Sequence, residues 1–225
     1  KHYINGKWVD SIGGKRHEVI SPSTEEPCTE ITLGTQADVD AAVSAARQAF
    51  KPFSQTSREE RIALMNRIIE EYKKRIPDFA KSMAAEMGAP VSFATMAQAP
   101  AGLGGFLGTL PALENFAFKE QHGANTVVYE PIGVVGLITP WNWPLNQIAL
   151  KVAPCIAAGN TMVLKPSEEC PGNAAIFAEV MDAAGVPPGV FNLVQGDGPT
   201  VGNAISAHPD VDMVSFTGST RAGIL

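Results

Sequence analysis

Residues 133 to 168, GVVGLITPWNWPLNQIALKVAPCIAAGNTMVLKPSE, constrain the fold of this chain more than any other stretch. An apolar, β-rich run from Val134 to Ile138 breaks at Thr139 and Pro140. A mostly apolar helical segment follows from Pro144 to about Ala158, and a second apolar run covers Thr161 to Leu164. Strand, crossover helix and strand make the βαβ unit of a parallel sheet. Polar residues fall at the strand ends: Asn142 stands between Trp141 and Trp143 past the first strand, and Lys165 and Glu168 stand past the second. Ligands of open α/β sheets bind at that edge, outside the carboxyl ends of the strands.

The pattern continues toward the C-terminus. Gly159 stops the first helix, a second helix runs from about Pro171 to Ala184 with Gly185 as its stop, and a strand covers Val190 to Val194. A short helix from Pro199 to Ser206, a strand over Met213 to Phe216 and a helix opening at Ser219 complete the series. Each strand-plus-helix step takes roughly 20 to 30 residues, the size of a βαβ step. The fold class is therefore α/β, a doubly wound parallel sheet. The chain stops at Leu225 just after that last helix start, so it is expected to be a piece of a longer protein.

The first half is less regular. His2 to Asp10 reads as a hairpin turning at Asn5-Gly6, a dipeptide that accepts positive φ. A Pro/Ser/Thr-rich loop covers Ser21 to Pro27. Thr35 and Asp38 open a helix with Val39, Ala42, Val43, Ala46 and Phe50 on one face, and Ser57 with Glu60 opens another bearing Ile62, Met65, Ile68, Ile69 and Tyr72. Pro77 interrupts it, and Gly88 and Pro90 end its continuation. Arg61, Glu70, Lys73 and Lys74 read as a solvated face. Residues 92 to 120 read as helix without clear boundaries, and NTVVYE (125–130) as an edge strand of the kind that pairs with another chain.

With 225 residues a sizeable core is available. A formal charge of -6 and the lack of a basic stripe argue against nucleic acid. The three cysteines, Cys28, Cys155 and Cys170, lack paired spacing, which points to a reducing compartment and no disulfide framework. No apolar run reaches the roughly 20 residues of a membrane span. Together these indicate a soluble cytoplasmic protein without membrane contact.

Taken singly, the motifs allow bland readings. Gly196-Asp197-Gly198 with Gly202 departs by one residue from the dinucleotide fingerprint and could be a tight turn into a helix. Gly218 and Ser219 offer a helix N-terminus to an anion, but Ile224 stands where a phosphate-loop lysine would be. Lys165-Pro166-Ser167-Glu168 is either an ordinary loop or a pair of groups for the vicinal hydroxyls of a ribose. Asn142 is either an N-cap or a donor to a developing oxyanion. Lys151, alone in an apolar helix, is either a snorkelling surface lysine or a proton-relay member. Cys155 and Cys170 read as structural. His2, His17, His122 and His208 show no metal-ligand spacing, so no metal is expected.

The ordered set PWNWP (140–144), APCIAAGNTMVLKPSE (153–168), GVPPGVFNLVQGDG (185–198) and VSFTGSTRAG (214–223) resembles the NAD(P)-dependent aldehyde dehydrogenase superfamily, over essentially the whole chain. The resemblance implies a Rossmann-like dinucleotide domain over 1–112 and 132–225, incomplete at its C-terminal end. It also implies part of a small oligomerisation excursion over 113–131, and a catalytic cysteine domain that lies outside this chain. It assigns the oxyanion to Asn142, a proton relay to Lys151 and the adenosine ribose to Lys165 and Glu168. Thr139 and Trp141 would line the cofactor channel, Gly198 the adenine side, and Gly218 with Ser219 the pyrophosphate. Pro140, Ser167 and Phe216 would complete the surroundings of the cofactor.

In that family a cysteine thiolate adds to the aldehyde and a glutamate activates the water that releases the acid; both would lie downstream of the FTGS segment. Cys28, Cys155 and Cys170 match no catalytic position, so these residues alone are expected not to turn over. NAD is expected rather than NADP, because the Glu168 carboxylate would repel a 2′-phosphate. An aldehyde substrate and a homodimer or homotetramer are implied. Two alternatives share the scaffold: an acylating or acyl-phosphate-reducing relative, and a non-catalytic dinucleotide-binding or structural protein.

Overall fold

The structure, a computed structural model, describes residues 1–224; Leu225, the end of the expected dinucleotide domain, lies outside the described residues. β1 (His2–Ile4) and β2 (Lys7–Val9) are joined by Asn5 and Gly6 at φ 52° and 74°, the positive-φ pair a two-residue hairpin turn requires. β3 (Lys15–Ile20) and β4 (Pro27–Leu33) form a separate antiparallel ladder. The sequence pattern did not show it, because most of its residues are exposed and no buried face imposes alternation.

α1 (Gln36–Ser54) and α2 (Arg58–Lys74) both start with capping boxes, Thr35 with Asp38 and Ser57 with Glu60. α3 (Ile76–Met87) has Pro77 in its first turn, where a missing N–H is harmless, and ends at Gly88 in the left-handed region at φ 68°. The segment without legible boundaries, 92 to 120, is a long helix only as far as Asn115; its last two residues, Lys119 and Glu120, belong to a strand. That helix comprises α4 (Val91–Phe93), a π turn over Ala94–Gln98 and α5 (Ala99–Asn115). The boundary expected at residue 113 falls in the last turn of α5.

Arg61 corrects the expectation of a solvated α2 face. It is buried, with Nη1 donating to Ala157 O at 2.7 Å and the guanidinium 5.1 Å from the Phe118 ring. A charge is tolerable there because it satisfies a carbonyl at a helix end and stacks on an aromatic face.

β5 (Lys119–His122) and β6 (Asn125–Val128) form an exposed antiparallel hairpin. The NTVVYE strand thus pairs first with its own neighbour in the chain. The series then runs β7 (Val134–Ile138), α6 (Pro144–Ala157), β8 (Thr161–Lys165), α7 (Pro171–Ala183) and β9 (Phe191–Leu193). A π turn over Gly198–Gly202, α8 (Asn203–Ala207), β10 (Met213–Phe216) and α9 (Thr220–Ile224) follow.

Among the described residues the main sheet has six strands in the order β10-β7-β8-β9-β1-β2. β10, β7, β8 and β9 are parallel, as expected, while the N-terminal hairpin adds antiparallel strands at one edge. β7 and β8 are buried along their whole length, which explains runs without polar alternation. On one face Val135, Leu137, Met162 and Leu164 pack with Leu145, Ile148, Phe106 and Phe177; on the other Val134 and Val163 pack with Val39, Val43, Ala46 and Ile205. Each fully buried side chain of this size contributes about 1.5–3 kcal/mol, so helices on both faces are what hold the strand tips in place.

Candidate functional site

The chain passes from β7 to β8 to β9 in one direction and then crosses back to place β10 on the other side of β7. That reversal creates a topological switch point at the carboxyl ends of β7 and β10, the place where open α/β sheets bind their ligands. The loop after β7 is Thr139 to Trp143, and that after β10 is Thr217 to Ser219. Thr217 N donates to Ile138 O at 3.1 Å, and Thr139 N donates to Lys165 O at 3.1 Å. The tips of β10, β7 and β8 are therefore stitched side by side.

Lys165 is the last residue of β8 and is buried. Its Nζ donates to Gly196 O at 2.7 Å and to Glu168 Oε2 at 3.1 Å. A lysine buried so deeply needs such partners, since an unpaired ammonium in apolar surroundings loses its hydration. Glu168 is partly exposed, so its carboxylate faces both the ammonium and solvent. Ser167 is buried, and its Oγ accepts from Glu169 N at 3.3 Å, tightening the loop. Thr139 is buried as well, with its Oγ1 lacking any partner among the described residues.

The Gly196 to Gly202 segment adjoins this cluster. Asp197 caps it by accepting from Thr200 N at 2.7 Å. A Cβ on Gly202 would stand 3.9 Å from Lys165 Cδ, whereas a Cβ on Gly198 would meet nothing within 4 Å. The turn into a helix is present, and nothing packed against it requires glycine at 198. At the tip of β10, Gly218 lies against the Phe216 ring, which a side chain there would strike. Ser219 Oγ accepts from Ala222 N at 3.2 Å, as an N-cap does.

Asn142 is exposed, and the N-cap position of α6 is Trp143. The N-cap alternative for Asn142 therefore falls. Its backbone carbonyl accepts a long bond from Gln98 Nε2 at 3.5 Å, and its side-chain amide has no hydrogen-bond partner among the described residues. Trp141 is exposed too, and its carbonyl accepts a weak bond from Cys170 Sγ at 3.7 Å. Pro140 continues the same loop. Lys151 lies apart, two turns into α6, with Nζ donating to Ser215 Oγ on β10 at 2.9 Å; partial burial lowers its pKa. It is neither a free surface lysine nor a member of the Lys165 cluster.

Cys155 and Cys170 are buried reduced thiols whose pKa burial pushes up, so neither is a ready nucleophile. Among the described residues no group of three His, Cys, Asp or Glu could hold a metal ion, and no helix is long and apolar enough to cross a membrane. Ser215, the Gly196 carbonyl and the Cys170 bond to Trp141 escaped the sequence reading. Each is a contact between segments far apart in the chain, with no local pattern to announce it.

The ammonium and carboxylate of Lys165 and Glu168 can donate to and accept from a pair of vicinal hydroxyls, and the exposed Asn142 amide can donate to an oxygen. Residues 8–225 match the Aldehyde dehydrogenase family. A 3-succinoylsemialdehyde-pyridine dehydrogenase of a Pseudomonas species is 55% identical over 99% of this chain, which covers 47% of that protein. An aldehyde dehydrogenase structure from Bartonella henselae superposes with a TM-score of 0.97 at 50% identity, over 100% of this chain and 48% of that one. Aldehyde dehydrogenase C from Pseudomonas syringae, solved as a mutant with NAD+ and octanal, gives 0.98 at 48% identity, over 100% and 46%. The chain thus spans about half the length of the relatives it matches. Given the match along nearly its whole length and the agreement of the fold, the chain belongs to the aldehyde dehydrogenase family.

Proposed function

We propose that this chain is the cofactor-holding part of an enzyme that oxidises an aldehyde to a carboxylic acid with NAD+. The observation that carries the reading is the Lys165–Glu168 pair, 3.1 Å apart and anchored on Gly196 O, on the strand tip next to the loop that presents Asn142. Lys165 and Glu168 hold the adenosine ribose, donating to one hydroxyl and accepting from the other, with Ser167 and Gly198 beside them. Thr139, Pro140, Trp141 and Phe216 border the channel, and the N–H groups after Gly218 and Ser219 lie toward the pyrophosphate. Glu168 favours NAD+, since a 2′-phosphate beside a carboxylate is repelled. NAD+ supplies the hydride acceptor of the overall oxidation.

Asn142 turns its amide NH₂ to the carbonyl oxygen of the aldehyde as negative charge develops there. Lys151 carries protons between α6 and β10 through Ser215. The cysteine nucleophile and the glutamate base belong to the remainder of a family-length chain. Residues 113–131 form part of an excursion whose exposed β5–β6 hairpin adds to a second copy, giving a homodimer or homotetramer. The NAD+ complex of the Pseudomonas syringae relative supports the cofactor assignment. Calorimetric titration tests it: wild-type protein should bind NAD+ more tightly than NADP+, and Glu168→Gln should weaken NAD+ binding about threefold to tenfold while narrowing that preference. Unchanged affinity in Glu168→Gln would remove Glu168 from the site.

A further inference from the structure

Glu86, in the last turn of α3, is a buried carboxylate with no cation paired to it among the described residues. Its two oxygens accept from Gly172 N at 3.0 and 3.1 Å, and one also accepts from Ser82 Oγ at 3.2 Å. Ser82 Oγ in turn accepts from Asn173 Nδ2 at 3.2 Å. Gly172 is the second residue of α7 and follows Pro171, so its amide is the first free N–H at that helix end. A Cβ at 172 would fall on the space the carboxylate fills. Glu86 therefore caps α7 from another helix, with its charge in the positive field of the N-terminus.

What α7 begins with is the far end of the loop after β8. Residues 166 to 170 span from Lys165 to Pro171, and Gln195 Nε2 donates to Pro171 O at 3.1 Å. Within the loop Cys170 N donates to Ser167 O at 3.4 Å, and Cys170 Sγ reaches Trp141 O. Any shift of the α7 N-terminus is thus passed to Ser167, to Glu168 and to the loop after β7.

We propose that Glu86 is a positioning residue for the dinucleotide crevice: its ionised carboxylate anchors the start of α7 and so holds the 165–170 loop in the form that binds NAD+. This rests on the reading of Lys165 and Glu168 as the ribose-holding pair. A glutamine has one acceptor oxygen, whereas the carboxylate offers both of its oxygens to Gly172 N and one of them to Ser82 Oγ as well.

Burial raises the Glu86 pKa to about 7, opposed by the bonds from Gly172 and Ser82. The other titratable groups that face it are the thiols of Cys28, on β4, and Cys170, both with pKa raised by burial and so neutral around pH 7. Protonation of Glu86 removes the charge from the α7 terminus, and binding that needs the ionised form weakens as pH falls through about 7.

Calorimetric titration of NAD+ into the purified protein between about pH 6 and about pH 8 tests this. Wild-type affinity should fall by up to about tenfold toward the acid end, the change in the ionised fraction of one group that titrates at about 7. Glu86→Gln should bind weakly and without that pH dependence. Ser82→Ala, which removes a bond to the ionised carboxylate, should move the midpoint to higher pH, and it carries the test if Glu86→Gln does not fold. A Glu86→Gln variant, or failing that a Ser82→Ala variant, with wild-type affinity and pH profile would overturn the proposal and leave the crevice reading standing. Absence of NAD+ binding by the wild type at every pH would overturn both.

Discussion

The Lys165 ammonium donates to the Gly196 carbonyl at 2.7 Å, so one charged side chain ties the tip of β8 to the loop that follows β9. The same ammonium holds Glu168 at 3.1 Å. Structure and ligand recognition therefore share one group. Lys165→Met keeps an unbranched apolar stem but ends one atom short, and leaves Gly196 O without its donor, at a cost of about 1–3 kcal/mol. Urea denaturation should register that loss, and NAD+ affinity should drop at least about tenfold. A variant that is destabilised yet binds NAD+ normally would leave Lys165 a purely structural residue.

Asn142 makes the opposite case, because its side chain caps nothing and stands in solvent. Asn142→Ala should leave the melting temperature unchanged. In the family-length enzyme it should lower the acylation rate by about 10² to 10³, the usual loss for one oxyanion donor. Rapid-mixing kinetics distinguish the two effects, and a loss below about tenfold would mean the amide does not meet the oxyanion.

Arg61 sits under the root of the hairpin, where it holds Ala157 O at the end of α6 and lies on the Phe118 ring. The Arg58 guanidinium also lies near that ring, 5.6 Å from its centre, and donates to Glu114 O and Phe116 O. Arg61→Ala should cost about 1.5–3 kcal/mol, typical of a hydrogen bond from a charged group. Arg61→Lys should recover little of it, because an ammonium cannot lie flat on the ring while donating. Hydrogen exchange in residues 116–130 should rise in both variants; a change confined to α6 would separate the hairpin from Arg61.

Glu86 links pH to stability with a sign opposite to its effect on NAD+ binding. Its pKa in the folded protein is about 7 against an ordinary 4.5, so folding favours the protonated form. The stabilisation from this group is full below pH 4.5 and disappears as pH rises toward 7. Relative to Glu86→Gln, the wild type should therefore lose up to roughly 3 kcal/mol across that window and change little above it. Urea titrations at a series of pH values measure the gap. A constant gap would show that the buried carboxylate ionises as readily as an exposed one.

The strands, helices and most of their boundaries were legible in the chain because they depend on local chemistry. Two capping boxes, the Asn5-Gly6 turn and the glycine stops at 88, 159 and 185 each act within a few residues, and the apolar runs of β7 and β8 leave no alternative to burial on both faces. The exposed β3–β4 ladder was not legible, since without a buried face its residues carry no period.

The polar residues at the strand tips could be picked out by their place in the pattern, and the resemblance to a family supplied their expected roles. Which partners those residues take was decided only by the tertiary structure. Lys165 on Gly196, Lys151 on Ser215, Arg61 on Ala157 and Glu86 on Gly172 join residues 31, 64, 96 and 86 positions apart. A buried charge takes whatever acceptor or donor the folded chain sets beside it, and the cost of leaving it unpaired becomes a constraint only once packing has removed water.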